Sequence, residues 1–150
     1  MKDKETQYRL LLRQMEELPP AGRDLTAVLT DTAVLLQELF GFLWTGFYLV
    51  QGSNLVLGPF VGADACLRIP FGKGVCGTAW KERRTVVVPD VKQFAGHIAC
   101  SSESKSEIVV PLFAGGNVVG VLDIDSDRIN AFDDTDARFL EQAVTLIYPL

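Results

Sequence analysis

Glu107-Ile108-Val109-Val110-Pro111-Leu112-Phe113-Ala114-Gly115-Gly116-Asn117-Val118-Val119-Gly120-Val121-Leu122-Asp123-Ile124-Asp125-Ser126 is the stretch that decides the fold. Two β-rich apolar arms around a glycine turn read as a hairpin. Their continuous apolar character marks central strands covered on both faces. Upstream, Phe42 to Val50 and Leu55 to Phe60 flank the turn residues Gln51-Gly52-Ser53-Asn54 and make a second hairpin. Short strands are expected at Ala65 to Ile69 and at Thr85 to Val88, the latter ended by Pro89-Asp90. Adjacent hairpins favour an antiparallel sheet rather than repeated strand-helix units.

Helical periodicity brackets these strands. From Gln7 to Leu18 the residues Tyr8, Leu11, Leu12, Met15 and Leu18 recur at intervals of three or four, and Pro19-Pro20 stops the run. Asp24 is placed to cap a second helix that carries Leu25, Val28, Leu29, Leu35, Leu36 and Leu39 and ends at Gly41. A short helix is expected from about Thr78 to Arg83. A last one begins near Asp133, with Asp134 and Asp136 at its positive end and Phe139, Leu140, Ala143, Val144 and Ile147 on one side. The whole is an α+β fold, a mostly antiparallel sheet of about six strands flanked by helices, in a single domain spanning residues 1–150.

Composition narrows the partners. The chain has 150 residues, 14 Lys+Arg against 19 Asp+Glu and a net charge of -5, with no run of five basic residues. Nucleic acid and anionic lipid are therefore not expected partners. The charged start Met1-Lys2-Asp3-Lys4-Glu5 does not read as a secretory signal, and no apolar run approaches a membrane span. A cytoplasmic protein is expected. In a reducing compartment, three cysteines and one histidine read as buried apolar groups, metal ligands or redox groups rather than as a disulfide framework.

Gly72, Gly74 and Gly77 fit G-x-G-x-x-G, with Asp90 downstream, yet the hairpins argue against a dinucleotide fold. The better reading is a flexible loop that brings backbone and the Cys76 thiol close to a ligand. Cys66, Cys76, His97 and Cys100 form a conceivable zinc set, but the cysteines lie 10 and 24 residues apart with no C-x2-C knuckle. Cys66 suits a buried strand position. Cys76 and Cys100 sit in glycine- or serine-rich loops, where Lys73 and helix amides, or His97 and Lys105, would stabilise a thiolate. The long polar segment Asp90 to Ser106, which holds His97 and Cys100, has the length of a functional loop.

Asp123 and Asp125, two apart on one strand, project from the same face. Charges side by side in a partly buried site raise each other's pKa, giving a proton donor or a cation clamp. A three-residue loop at Gly115 to Asn117 pairs Ala114 with Val118 and brings Glu107 opposite Asp125. A two-residue loop would turn Glu107 to the other face. Trp44 and Tyr48 share parity across Gly46, which leaves a gap beneath two aromatic walls.

Taken together, Trp44-Thr45-Gly46-Phe47-Tyr48, Phe71 to Ala79, His97-Ile98-Ala99-Cys100, Ser106 to Pro111 and Gly120 to Ser126 resemble the free methionine-(R)-sulfoxide reductases, a catalytic branch of the GAF domains. The resemblance covers essentially the whole chain, and the cysteine spacing is its most specific element. It implies a GAF-like fold, a homodimer, and thioredoxin-dependent reduction of free methionine-(R)-sulfoxide. By motif, Cys100 matches the attacking cysteine, Cys66 the main resolving cysteine and Cys76 a third that joins disulfide exchange. Glu107, Asp123 and Asp125 match the active-site acids, and Trp44 and Tyr48 the aromatic wall. No cofactor, metal or nucleotide is implied. Ser101 stands where the family often has Asp, Leu43 where many members are polar, and Trp80 where a small residue is common. A noncatalytic GAF sensor for a small molecule is the alternative.

Overall fold

Tyr8, Leu11 and Met15, spaced for one helical face, bury that face of α1 (Lys4–Glu16). The computed structural model describes residues 3–17 and 24–147. The expected Pro19-Pro20 stop and Leu18 lie outside the described residues. Helix α2 (Leu25–Phe40) starts after Asp24, whose side chain makes no capping bond among the described residues, and ends at Gly41 in the left-handed conformation. The six strands seen among the described residues are β1 (Trp44–Gln51), β2 (Asn54–Val61), β3 (Arg68–Pro70), β4 (Val86–Val88), β5 (Ser106–Ala114) and β6 (Asn117–Ser126), with α3 (Gly74–Glu82) between β3 and β4 and α4 (Asp134–Thr145) after β6.

The strands form one sheet in the order β3-β2-β1-β6-β5-β4, and each neighbouring pair is antiparallel. The period-two alternation of β5 and β6 then sorts their side chains. Ile108, Val110, Leu112, Leu122 and Ile124 point into a core with Phe47 and the apolar faces of α1, α2 and α4, including Leu29, Leu36, Phe139 and Leu140. Each of these fully buried side chains contributes about 1.5–3 kcal/mol relative to exposure. Val109 and Val121 face the opposite side, where they join a smaller cluster with Tyr48, Leu55, Ile69, Val75, Cys76 and Ala79 under α3. The thinner cover on this second face leaves room for a site.

The start of α4 anchors the helical layer. Asp133 and Asp136 form a reciprocal capping box, and the buried Asp136 carboxylate also accepts from Tyr8 Oη at 2.5 Å and Lys4 Nζ at 2.7 Å. That ties α1 to α4 through one carboxylate.

The hairpin that decides the fold turns differently from the expectation. Ala114 pairs with Asn117, so the turn is the two-residue Gly115-Gly116, which alone would have put Glu107 on the wrong face. A bulge then shifts the register between Leu112 and Phe113, with Val119 as the extra residue, and from Leu112↔Gly120 onward the pairing brings Glu107 opposite Asp125. The expected juxtaposition holds for a reason the turn did not supply.

The glycine-rich segment is also corrected. Helix α3 begins at Gly74, four residues before the expected Thr78, so Cys76 lies on the helix rather than in a loop. A Cβ on Gly77 would meet the Pro70 carbonyl oxygen at 2.6 Å, so glycine lets the helix pack on the preceding backbone. Its carbonyl accepts from Gly72 N–H at 3.1 Å. These glycines close a tight strand-to-helix turn. The third strand is likewise shorter than expected, and Cys66 precedes it in an irregular segment.

Candidate active site

Three adjacent strands set the floor of the site. Across β5, β6 and β1, Glu107 lies opposite Asp125 and Asp125 opposite Trp44; in the parallel row Val109 lies opposite Asp123 and Asp123 opposite Gly46. Tyr48, two residues beyond Gly46, completes the same face. The three acids and two aromatics expected from the sequence are therefore brought together by register alone.

Two loops and α3 close over this floor. Cys66 and Cys100, 34 residues apart in the chain, are joined by a disulfide, and Cys76 is free and buried. Tyr48 Oη donates to the Cys66 carbonyl at 3.0 Å, which fastens the aromatic wall to the Cys66 segment. From the loop between β4 and β5, Ser104 Oγ donates to Asp125 Oδ1 at 3.0 Å and His97 Nε2 approaches Glu107 Oε1 at 3.4 Å. Cys76 Sγ and one oxygen each of Glu107 and Asp123 lie within 4.8 Å of one another. A cavity of about 20 Å³ runs between the disulfide and the acids, lined by Trp44, Tyr48, His97, Cys100, Glu107 and Asp123 among others. It holds about one water.

The gap expected beneath the two aromatics is filled. The Trp44 ring lies over Gly46, where a Cβ would meet Trp44 Cη2 and Phe60 Cβ, each at 2.5 Å. It stacks on Tyr48 at 5.9 Å and on Phe60 at 5.4 Å. Glycine is thus what lets the indole lie flat on the strand. Two buried polar atoms here, Trp44 Nε1 and Asp123 Oδ1, have no hydrogen-bond partner among the described residues. Unpaired buried polar atoms are costly, and beside a cavity they are waiting partners for a polar ligand.

Burial dominates the electrostatics. It pushes the Glu107 carboxyl up to about 8, and the neighbouring Asp125 charge adds to the rise. Asp123 is pushed up by burial and then by Glu107, and Asp125 by burial and then by Asp123. Three carboxyls in contact cannot all ionise, so the cluster retains protons near neutral pH. Burial likewise raises the Cys76 thiol, with Asp123 and Glu107 reinforcing it, the reverse of the thiolate stabilisation expected from Lys73 and helix amides. Burial lowers His97, opposed by the charge of Asp123. The site combines a thiol pair able to exchange electrons with a store of exchangeable protons.

Ser104 holds Asp125 and His97 stands against Glu107; the sequence points to His97 only as a neighbour of Cys100 or a conceivable zinc ligand, and to Ser104 not at all. His97 had a signal, as the single histidine, three residues from Cys100 in an overlong loop. Ser104 had none, because its role depends on how that loop folds back over β6.

A GAF-domain family model matches residues 22–147. Over 145 residues the chain is 53% identical to GAF domain-containing protein A of Dictyostelium discoideum, covering 96% of this chain and 92% of the relative. Over 138 residues it is 46% identical to the free methionine-R-sulfoxide reductase of Escherichia coli, covering 91% of this chain and 84% of the relative. The X-ray structure of the free methionine-R-sulfoxide reductase from Neisseria meningitidis in complex with its substrate superposes with a TM-score of 0.96 at 50% identity, covering 99% of this chain and 90% of that one.

Proposed function

The chain belongs to the GAF-domain family and, within it, to the free methionine-R-sulfoxide reductases, and from that membership we propose a reaction and a role for each site residue. The protein reduces free L-methionine-(R)-sulfoxide to L-methionine. The observation that carries the chemistry is the Cys66–Cys100 disulfide lying against a buried, proton-retaining acid cluster.

A sulfoxide sulfur becomes electrophilic when its oxygen is protonated or strongly hydrogen-bonded, so the attacking thiolate needs an acid at hand. Glu107, held protonated by burial beside Asp123, is that acid. Cys100 Sγ attacks the sulfur. The sulfoxide sulfur gains two electrons and leaves as the thioether, while the Cys100 sulfur loses two and keeps the oxygen as a sulfenic acid. Cys66 condenses with it, expelling water and forming the disulfide. Thioredoxin returns both thiols to the reduced state. Cys76, buried and protonated, acts as a third exchange partner when the cover over the site opens.

Asp125, steadied by Ser104, and Asp123, with its unpaired Oδ1, suit the substrate's ammonium group. Loop amides around Cys100 receive the carboxylate, and Trp44 and Tyr48 wall the apolar part. We read Cys76, Glu107 and Asp123 as sharing protons rather than a metal ion, because their raised pKa values mean that a cation would have to displace bound protons. No cofactor enters the reaction. The protein works in the cytoplasm as a homodimer; among the described residues no helix is long and apolar enough to cross a membrane.

The test is NADPH consumption coupled through thioredoxin reductase and thioredoxin, with each epimer of free methionine sulfoxide. Turnover of the R epimer with none of the S epimer is expected. Absence of turnover with both thioredoxin and dithiothreitol as reductant would overturn the reading in favour of a small-molecule sensor.

A further inference from the structure

His97 takes no part in attack on the sulfoxide or in closing the disulfide. Its Nε2 nevertheless lies 3.4 Å from Glu107 Oε1, and its side chain is 14% exposed against 7% for the carboxylate it faces. Both residues line the same cavity, and the imidazole is the more exposed of the two. We propose that His97 is a positioning residue that relays protons from solvent to Glu107, restoring the acid after each turnover.

A relay is called for because a buried acid that gives up its proton must regain one, and this step rests on the reductase reading. Each reduction consumes the Glu107 proton, which leaves on the oxygen that becomes the Cys100 sulfenic acid. Glu107 then remains as a carboxylate in a buried pocket. The groups that face it there are Asp123 and Asp125 from β6, Cys76 from α3 and Tyr48 from β1, with Asp64 from the loop after β2 also lining the cavity. These acids, thiol and phenol share protons already inside the cluster and add none. His97 is more exposed than the acid, and its two ring nitrogens allow it to take a proton at one and release another. Burial favours its neutral form while Glu107 is protonated. Once Glu107 ionises, the adjacent negative charge favours the imidazolium, and the proton passes inward. The proton that enters from solvent at His97 equals the one that the Cys100 thiol releases to solvent on becoming the attacking thiolate. The reductant's two hydrogens therefore leave as water, and the cycle takes up no net proton.

The experiment uses the full chain with dithiothreitol, raised until the rate no longer depends on it. Wild-type turnover of free methionine-(R)-sulfoxide comes first; its absence would sink the reductase reading and not the relay. With turnover established, His97→Ala is expected to lower kcat by about ten- to a hundredfold in weakly buffering solution. The first turnover of fully reduced enzyme, prepared with Glu107 protonated, stays within about twofold of wild type. Added imidazole restores the later turnovers. His97→Asn, closer in size to histidine, shows the same split and replaces the alanine variant if that one does not fold. Wild-type kcat in both variants, equal losses in first and later turnovers, or a deficit that imidazole leaves unrepaired would each overturn the relay.

Discussion

Glu107→Gln separates what the acid cluster does for the reaction from what it does to the fold. In the folded protein the Glu107 carboxyl titrates at about 8, against 4.5 for an ordinary glutamate. Because the folded value is the raised one, this group's contribution to stability is whole below about pH 4.5 and is lost as pH rises through about 8. Between those limits the unfolded chain sheds the proton while the folded chain keeps it. At about 1.4 kcal/mol per pH unit, wild type is weakened by about 3 kcal/mol at pH 7 and about 5 kcal/mol above pH 8. Glutamine keeps the size and polarity with no proton to lose. In urea, with a slope of about 2 kcal/mol/M, the variant's midpoint is expected to exceed that of wild type by about 1.5 M more at pH 7 than at pH 4.5. The same substitution is expected to lower single-turnover methionine release by about a hundredfold or more. Disulfide-intact protein serves for the melts and reduced protein for the kinetics. A midpoint difference that does not change with pH would refute burial as the cause of the retained proton.

Cys100→Ser is expected to abolish reduction, whereas Cys66→Ser releases about one methionine per chain and then stops, because attack precedes resolution; equal bursts from the two variants, read by quantifying free methionine, would reverse the assignment. Gly46→Ala forces a Cβ into the Trp44 ring and Phe60, at an expected cost of about 1–3 kcal/mol in stability and with a rise in KM larger than the fall in kcat. Thermal melts and steady-state kinetics read both. Asp136→Ala strips the buried partner of Lys4 and Tyr8 Oη and half of a capping box, and is expected to destabilise the protein by about 3–5 kcal/mol in urea melts while leaving the first-turnover rate of the remaining folded protein unchanged.

The fold was legible because its signals are local. Hairpin turns, period-two strands and the periodic apolar positions of α1, α2 and α4 each declare themselves within a dozen residues. The acid floor was legible for the same reason, since strand parity alone puts Asp123 and Asp125 on one face. What escaped depends on packing. Cys76 reads as a loop thiol until Gly77 is seen to let α3 start early and turn the sulfur inward. The Trp44 indole fills the space that Gly46 was expected to leave, which only its stacking on Tyr48 and Phe60 explains. Ser104 carries no sequence signal at all. The Cys66–Cys100 pairing came from family likeness rather than from spacing.

The bulge at Val119 makes the β5–β6 hairpin resemble a message with a compensated frameshift. A strand has a reading frame of two, one letter for each face, and the two-residue turn sets that frame wrong for the acids. Val119 acts as the suppressor that restores it before Asp123 and Asp125 are reached. Deleting Val119 alone would slide both aspartates toward Leu29 and Leu36, whereas the same deletion with one residue added to the turn leaves the floor of the site in register. Turn length and bulge are therefore tied together across the hairpin. Either change alone is ruinous, and the two together are silent.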